Sequence, residues 1–234
     1  MNAATDGVVE IYLARHGQTW FNKRDRVQGW CDSPLTEAGH ELAAALGRGL
    51  AGDGIVLDAA YSGDMVRHHE TAQGVLDAMG SPLPVTQLRA LREMSFGGWE
   101  GGFDPDMWRA CWDNLGVSTD EEAFARGLRL VDVYDGISIT NPDPDYPAEN
   151  TAAVADRAVA ALNDIADTEA GLRERSRVLV VTSGITVVCV LTALGFPPRN
   201  RVGNGAVALL RRDASGWSAA TVNDMSWAKN GRAA

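Results

Sequence analysis

The run Leu13-Ala14-Arg15-His16-Gly17-Gln18-Thr19 places three residue types side by side that a phosphate site needs. An arginine forks onto two phosphate oxygens through its planar guanidinium. An imidazole presents one ring nitrogen while the backbone fixes the other. A glycine lets the chain turn tightly against an anion. The tripeptide is short enough to arise by chance, so its position carries the weight. It follows Val8 to Ala14, an apolar run with a β-branched start that reads as a strand. A strand end delivers side chains to the carboxyl edge of a sheet, where open α/β folds take their ligands. Arg15 and His16 are therefore the first candidates for a phosphate-binding catalytic site, with His16 at its centre.

The elements that must position them alternate along the chain. Pro34-Leu35-Thr36-Glu37 opens a helix through about Leu50, with Glu37 placed to complement the helix dipole. Leu57 to Ser62 reads as a strand, Asp64 to Met79 as a helix ended by Gly80-Ser81-Pro82, and Leu83 to Leu88 as a weaker strand interrupted by Pro84. Ala152 to Ala166 reads as an Ala-rich helix. Arg177 to Thr182 is the clearest buried strand, followed by a helix to Leu194. Gly205 to Arg211 and Trp217 to Val222 form a hairpin pattern around Asp213-Ala214-Ser215-Gly216. This order predicts a three-layer α/β/α sandwich on a mostly parallel sheet, in one domain spanning 1–234. The stretch from about 102 to 148 breaks the alternation with Trp108, Trp112, Phe124, Tyr134 and Tyr146, many carboxylates and a Pro-rich exit. It is read as an inserted, partly helical cap over the strand ends, its aromatics forming core rather than a stacking site.

Bulk properties exclude several functions. With 45% hydrophobic residues the chain can bury a continuous core. A formal charge of −10 argues against nucleic acid or an anionic membrane as partner, while a few converging arginines can still bind a small anion. Cys31, Cys111 and Cys189 lack paired-ligand spacing and read as free thiols, so no metal site, cofactor or disulfide is expected. Val178 to Leu194, the most apolar stretch, is interrupted by Thr182-Ser183-Gly184 and reads as a buried strand and helix rather than a membrane span. No secretory signal is apparent, and a cytoplasmic location is expected. An exposed edge strand leaves a homodimer open.

Arg15-His16-Gly17-Gln18-Thr19, Asn22, Gln28-Gly29-Trp30 and Asp32-Ser33-Pro34-Leu35-Thr36 resemble the opening block of the histidine phosphatase superfamily, the phosphoglycerate-mutase-like group. Tyr61-Ser62, Arg67 and Thr71-Ala72 fit its second block; Leu91-Arg92-Glu93, Phe96-Gly97 and Trp99-Glu100-Gly101 fit its third. The resemblance covers most of the first hundred residues and extends to Glu149, Arg157 and the strand from Arg177. It implies that His16 is the nucleophile forming a phosphohistidine, that Arg15 and Arg67 clamp the phosphoryl oxygens, and that Glu93 is the proton donor to the leaving oxygen. Asn22, Gln28, Gly29 and Gly184 become candidate substrate-binding residues. Arg67 alone would read as a solvated helix residue and Glu93 as a surface carboxylate; only the joint spacing lifts them. His40, His68 and His69 read as helix-surface residues.

One departure stands out. Where the family's Ser-His-Gly pattern ends the strand Val178-Leu179-Val180-Val181, this chain has Thr182-Ser183-Gly184, placing Ser183 in the slot of a second pocket histidine. No other histidine has a spacing that replaces it. Serine gives one hydrogen bond, helped by the adjacent helix N-terminus, but no imidazolium charge. The block Glu93-Met94-Ser95-Phe96-Gly97-Gly98-Trp99-Glu100-Gly101 resembles the phosphatase-type branch. The reading is thus a metal-independent phosphomonoesterase on a small phosphorylated metabolite. The alternatives are a phosphoglycerate-mutase-type phosphotransferase and a weakly active phospho-ligand binding or regulatory protein.

Overall fold

The structure, a computed structural model, describes residues 7–233. The elements run β1 (Val8–Arg15), α1 (Trp20–Lys23), α2 (Glu37–Gly52), β2 (Ala59–Ser62), α3 (Val66–Met79), β3 (Val85–Gln87), α4 (Asp104–Leu115), α5 (Asp120–Ala125), α6 (Leu130–Ile139), α7 (Thr151–Leu172), β4 (Arg175–Thr182), α8 (Gly184–Ala193), β5 (Val207–Asp213), β6 (Gly216–Asp224) and α9 (Ser226–Ala233). The sheet order is β3-β2-β4-β1-β5-β6. The β3/β2, β2/β4 and β4/β1 pairs are parallel, whereas β1/β5 and β5/β6 are antiparallel. The expected parallel half is present, and the hairpin at the other edge makes the sheet mixed.

Alternation along β1 divides the core. Val9, Ile11 and Leu13, all 0% exposed, pack with Val178 and Val180 of β4 against α7, α8 and the cap helices α4 and α6. Tyr12 and Ala14 point the other way and join Leu179 and Val181 in a second cluster with α2, α3 and Trp227 of α9. A strand buried on both faces has to be apolar throughout, which is why β1 and β4 read as continuous runs. Each fully buried aliphatic side chain contributes roughly 1.5–3 kcal/mol, so these two strands are the rigid base of the site.

The stretch between β3 and α7 holds three α-helices, and Met107, Cys111, Val133 and Ile137 from two of them belong to the same cluster as β1. Trp108 and Tyr134 meet there with ring centres 5.7 Å apart. The cap helices therefore share the main core. The short α1 and the C-terminal α9 were not expected from the pattern. Cys31, Cys111 and Cys189 are free thiols, and burial pushes the Cys111 thiol up to about 11. Among the described residues no helix is long and apolar enough to cross a membrane.

Candidate active site

Strands β1 and β4 lie side by side in parallel, with Arg15 opposite Thr182. Their carboxyl ends therefore deliver His16 and Ser183 to the same edge of the sheet. The chain leaves β1 through a turn so close to α2 that a Cβ on Gly17 would stand 2.6 Å from the Gly39 carbonyl. Glycine is required there for this approach between two backbones. Thr71 Oγ1 accepts from Gly17 N at 3.0 Å, and Asn204 Nδ2 donates to His16 O at 2.9 Å. The nucleophile candidate is thus gripped from α3 on one side and from the loop before β5 on the other.

His16 is 4% exposed. Its Nδ1 lies 2.7 Å from Gly17 O. A carbonyl only accepts, so Nδ1 carries the proton and Nε2 carries the lone pair. Burial, then the charges of Arg67 and Arg15, hold the ring well below the ordinary histidine pKa, against the opposing pull of the Gly17 carbonyl. The imidazole is neutral at physiological pH, and its Nε2 lone pair is not taken up by the Gly17 carbonyl.

A cavity of about 280 Å³ opens over this residue, lined among others by Arg15, Asn22, Gln28, Glu93 and Gly184. Arg15 is tied by Nη1 to Val202 O at 2.6 Å, and its buried Nε has no partner. Glu93 is 5% exposed. Its carboxyl accepts from Met94 N (2.9 Å), Ile185 N (3.1 Å), Thr186 N (3.0 Å) and Thr186 Oγ1 (3.0 Å). It sits on the amide groups opening α8, the end of a helix that attracts a carboxylate. The loop carrying it is held by Arg157, which donates to Ala90 O (2.7 Å), Arg92 O (2.8 Å) and Glu93 O (2.9 Å) while pairing with Glu149. Asn22 closes the capping box of α1, accepting from Thr19 N at 3.2 Å. The Gln28 amide nitrogen donates to Thr19 Oγ1 at 2.6 Å and its oxygen accepts from Arg67 Nη1 at 3.3 Å.

Four expectations need correction. Arg67 does not line the cavity: it is wholly buried behind it, donating to Gly29 O (2.7 Å), Cys31 O (3.2 Å) and Asp32 Oδ1 (2.8 Å). Gly29 likewise lies off the cavity, since its carbonyl holds Arg67 and its N–H bonds Glu100. A Cβ there would stand 2.3 Å from Met94 O. Ser183 does not stand free in the cavity: it is 0% exposed, and its hydroxyl oxygen is engaged by Arg67 and His68. His68 is not a surface residue: it is 0% exposed, its Nε2 is 2.6 Å from Ser183 Oγ, and its ring centre is 5.6 Å from that of His16. The buried stripe of α3 carries Arg67, His68, Thr71, Ala72, Val75 and Leu76, a helical spacing wide enough to take in two successive positions. His40 is exposed, as expected, and His69 is half-buried.

The sequence reading missed Asp25, Arg26, Asp104, Trp108, Tyr134, Arg201 and Asn204, which also line the cavity. Arg201 stacks over Trp108, 3.8 Å from the ring centre, and pairs with Asp120 at 2.5 and 3.0 Å. Trp108 Nε1 donates to Asp104 at 2.8 Å; burial raises the Asp104 pKa against that bond. Of the aromatics expected as core, Trp108 and Tyr134 are buried and also wall the cavity, Trp112 and Phe124 pack partly buried against the core, and Tyr146 is exposed. Only the Gly203-Asn204-Gly205 turn carried a local signal, and nothing in it pointed to residue 16.

Comparison with known proteins agrees with this fold. The profile of the Histidine phosphatase superfamily (branch 1) matches residues 11–225. The chain is 31% identical over 230 residues to a protein of Proteus mirabilis named "Probable phosphoglycerate mutase GpmB", covering 94% of each chain. It is 40% identical over 118 residues to a 2,3-bisphosphoglycerate-dependent phosphoglycerate mutase of Methylobacterium radiotolerans, covering 50% of this chain and 53% of that one. The match thus spans about half the length of that relative. A solved phosphoglycerate mutase from Bacillus anthracis superimposes with TM-score 0.86 at 34% identity, over 98% of this chain and 99% of the other. With the profile matching nearly end to end on a fold and a buried Arg-His pair of this kind, the chain belongs to the histidine phosphatase superfamily, branch 1.

Proposed function

We propose that the protein is a phosphomonoesterase acting on a small organic phosphate through a phosphohistidine at His16. The observation that carries this is the tautomer: Nδ1 is committed to Gly17 O at 2.7 Å, so Nε2 is free to attack. In the first step Nε2 forms a bond to phosphorus as the bond to the leaving oxygen breaks, and the protonated form of Glu93 supplies the proton that oxygen takes up, leaving the carboxylate. In the second step water attacks the phosphohistidine, its proton passes to Glu93, and phosphate leaves with neutral His16 restored. Arg15, and Arg67 behind it, oppose the charge that spreads over the phosphoryl oxygens.

The charge of the cavity favours a monophosphate. Arg15, Arg26 and Arg201 line it together with Asp25, Glu93 and Asp104, and Arg201 is already paired with Asp120. A doubly phosphorylated primer would bring several further negative charges against those carboxylates, which argues against a mutase cycle. The relatives named phosphoglycerate mutase keep that second reading in play. A phosphatase releases inorganic phosphate from p-nitrophenyl phosphate and sugar phosphates without added primer, and His16→Ala abolishes the release. Phosphoglycerate interconversion that requires a bisphosphate would establish the mutase reading. Equal phosphate release by wild type and His16→Ala would refute both.

A further inference from the structure

Behind the cavity, three polar side chains from two elements meet away from solvent. Arg67 and His68 of α3 and Ser183 before α8 are each 0% exposed. Ser183 Oγ lies 2.6 Å from His68 Nε2 and 3.5 Å from Arg67 Nη2. The steps written above give His68 and Ser183 no task, although the His68 ring is only 5.6 Å from His16, centre to centre.

The other ring nitrogen of His68 settles which one carries the proton. Nδ1 is buried without a partner. It faces Gly63 so closely that a Cβ there would stand 2.1 Å away. In glycine that direction is a Cα–H, which meets a ring lone pair as a weak hydrogen bond and would collide with an N–H. A proton on Nδ1 would also be a buried donor lacking an acceptor. The proton is therefore on Nε2, which donates to Ser183 Oγ. Arg67 is donor-only as well. The serine oxygen accepts from both, and its own O–H remains to be given.

We propose that His68 and Ser183 form a donor relay for the phosphoryl group: His68 Nε2–H holds Ser183 so that its O–H is directed at a phosphoryl oxygen carried on His16. This rests on the reading of His16 as the phosphoryl acceptor. The relay breaks no bond and moves no proton; its hydrogen bonds tighten as negative charge builds on the transferring group. Ser183 is then a catalytic residue and His68 a positioning residue. Burial, then Arg67 and His16, hold the His68 pKa well below the ordinary value, so the ring orients without adding charge. The imidazole that the family resemblance places at position 183 is supplied here from the neighbouring helix, and a short side chain at 183 leaves room for it.

The test compares wild type, Ser183→Ala, His68→Ala, His68→Gln, the Ser183→Ala/His68→Ala double variant and His16→Ala. Turnover of p-nitrophenyl phosphate and the amount of acid-labile phosphoenzyme are measured for each, with thermal midpoints as a check on folding. Ser183→Ala and His68→Ala are each expected to lower kcat about a hundredfold with KM within threefold. The double variant falls no further than the worse single one, because one relay is lost either way. His68→Gln, whose amide nitrogen can reach the serine, recovers about tenfold over His68→Ala. Nitrogen-15 spectra of the wild type place the His68 proton on Nε2. A Ser183→Ala kcat within twofold of wild type, multiplicative losses in the double variant, or a proton on Nδ1 would overturn the relay. A dead His16→Ala beside an intact Ser183→Ala overturns the relay alone. A wild type that forms no phosphoenzyme overturns the His16 reading and the relay together.

Discussion

Replacing Glu93 by glutamine separates its chemical role from its structural one. Oε1 receives Met94 N, Thr186 N and Thr186 Oγ1, whereas Oε2 receives Ile185 N at 3.1 Å. The amide of Glu93→Gln keeps its oxygen on the threefold side and turns its NH2 toward the Ile185 N–H. One hydrogen bond to a charged acceptor is lost, about 1.5–3 kcal/mol, together with a carboxylate at the α8 N-terminus worth about 0.3–1 kcal/mol. For a chain of this size that lowers the thermal midpoint by roughly 4–15 °C, and the protein still folds. The effect on catalysis depends on the leaving group. An alkyl phosphate needs its departing oxygen protonated, so its kcat/KM should fall about 10²–10⁴-fold. p-Nitrophenolate leaves without help, and its phosphoryl transfer to His16 should fall less than tenfold. The assay is kcat/KM for p-nitrophenyl phosphate against an alkyl or sugar phosphate, in wild type and Glu93→Gln. Equal losses on both substrates would show that Glu93 merely caps α8, and the acid assignment would be wrong.

His16 and His68 are both buried as neutral rings with pKa values held well below 6.5, so the unfolded chain binds protons that the folded chain refuses. Their contribution to stability is complete above pH 6.5 and is lost as pH falls from there toward the folded values, with a slope of about 1.4 kcal/mol per pH unit for each ring. Urea midpoints at pH 7.5 and 5.5 should show this fall, halved in His68→Gln; an unchanged slope in that variant refutes it. Ser183→His, which restores a histidine at that slot, should lower both thermal midpoint and kcat, because His68 Nε2 already stands 2.6 Å from Ser183 Oγ. The same change in a His68→Ala background should recover activity, and a gain from Ser183→His alone would contradict the steric argument. Arg201→Met should raise KM severalfold and destabilise the fold by about 1–3 kcal/mol, since Asp120, 14% exposed, loses its ionic partner. Calorimetry and substrate titration test this, and an unchanged KM would remove Arg201 from the binding surface.

The strand-end Arg15-His16-Gly17, the buried strand into Thr182 and the alternation of elements were legible in the sequence because they are local. Period-two and continuous apolar runs identify strands, and a glycine where two backbones touch leaves no other choice. Glu93 and Arg67 were reached through spacing shared with a family, which brings them to the neighbourhood of His16 but does not say which way they face. The structure places Glu93 on the first turn of α8 and Arg67 behind the cavity. The residues that distance in the chain concealed are those brought in by packing. Arg201 and Asn204 stand more than 180 residues from His16 along the chain, and reach the cavity through the loop before β5. His68 shows the limit most clearly. From the sequence it is a polar residue on a helix beside Arg67, with nothing to say that its side of α3 faces inward. Only the packing of α3 against the end of β4, with Gly63 leaving space beside the ring, turns His68 into a buried neighbour of His16. The candidate nucleophile was therefore written in one short segment of chain, while the burial of His68 against Ser183 was decided by how two distant elements meet.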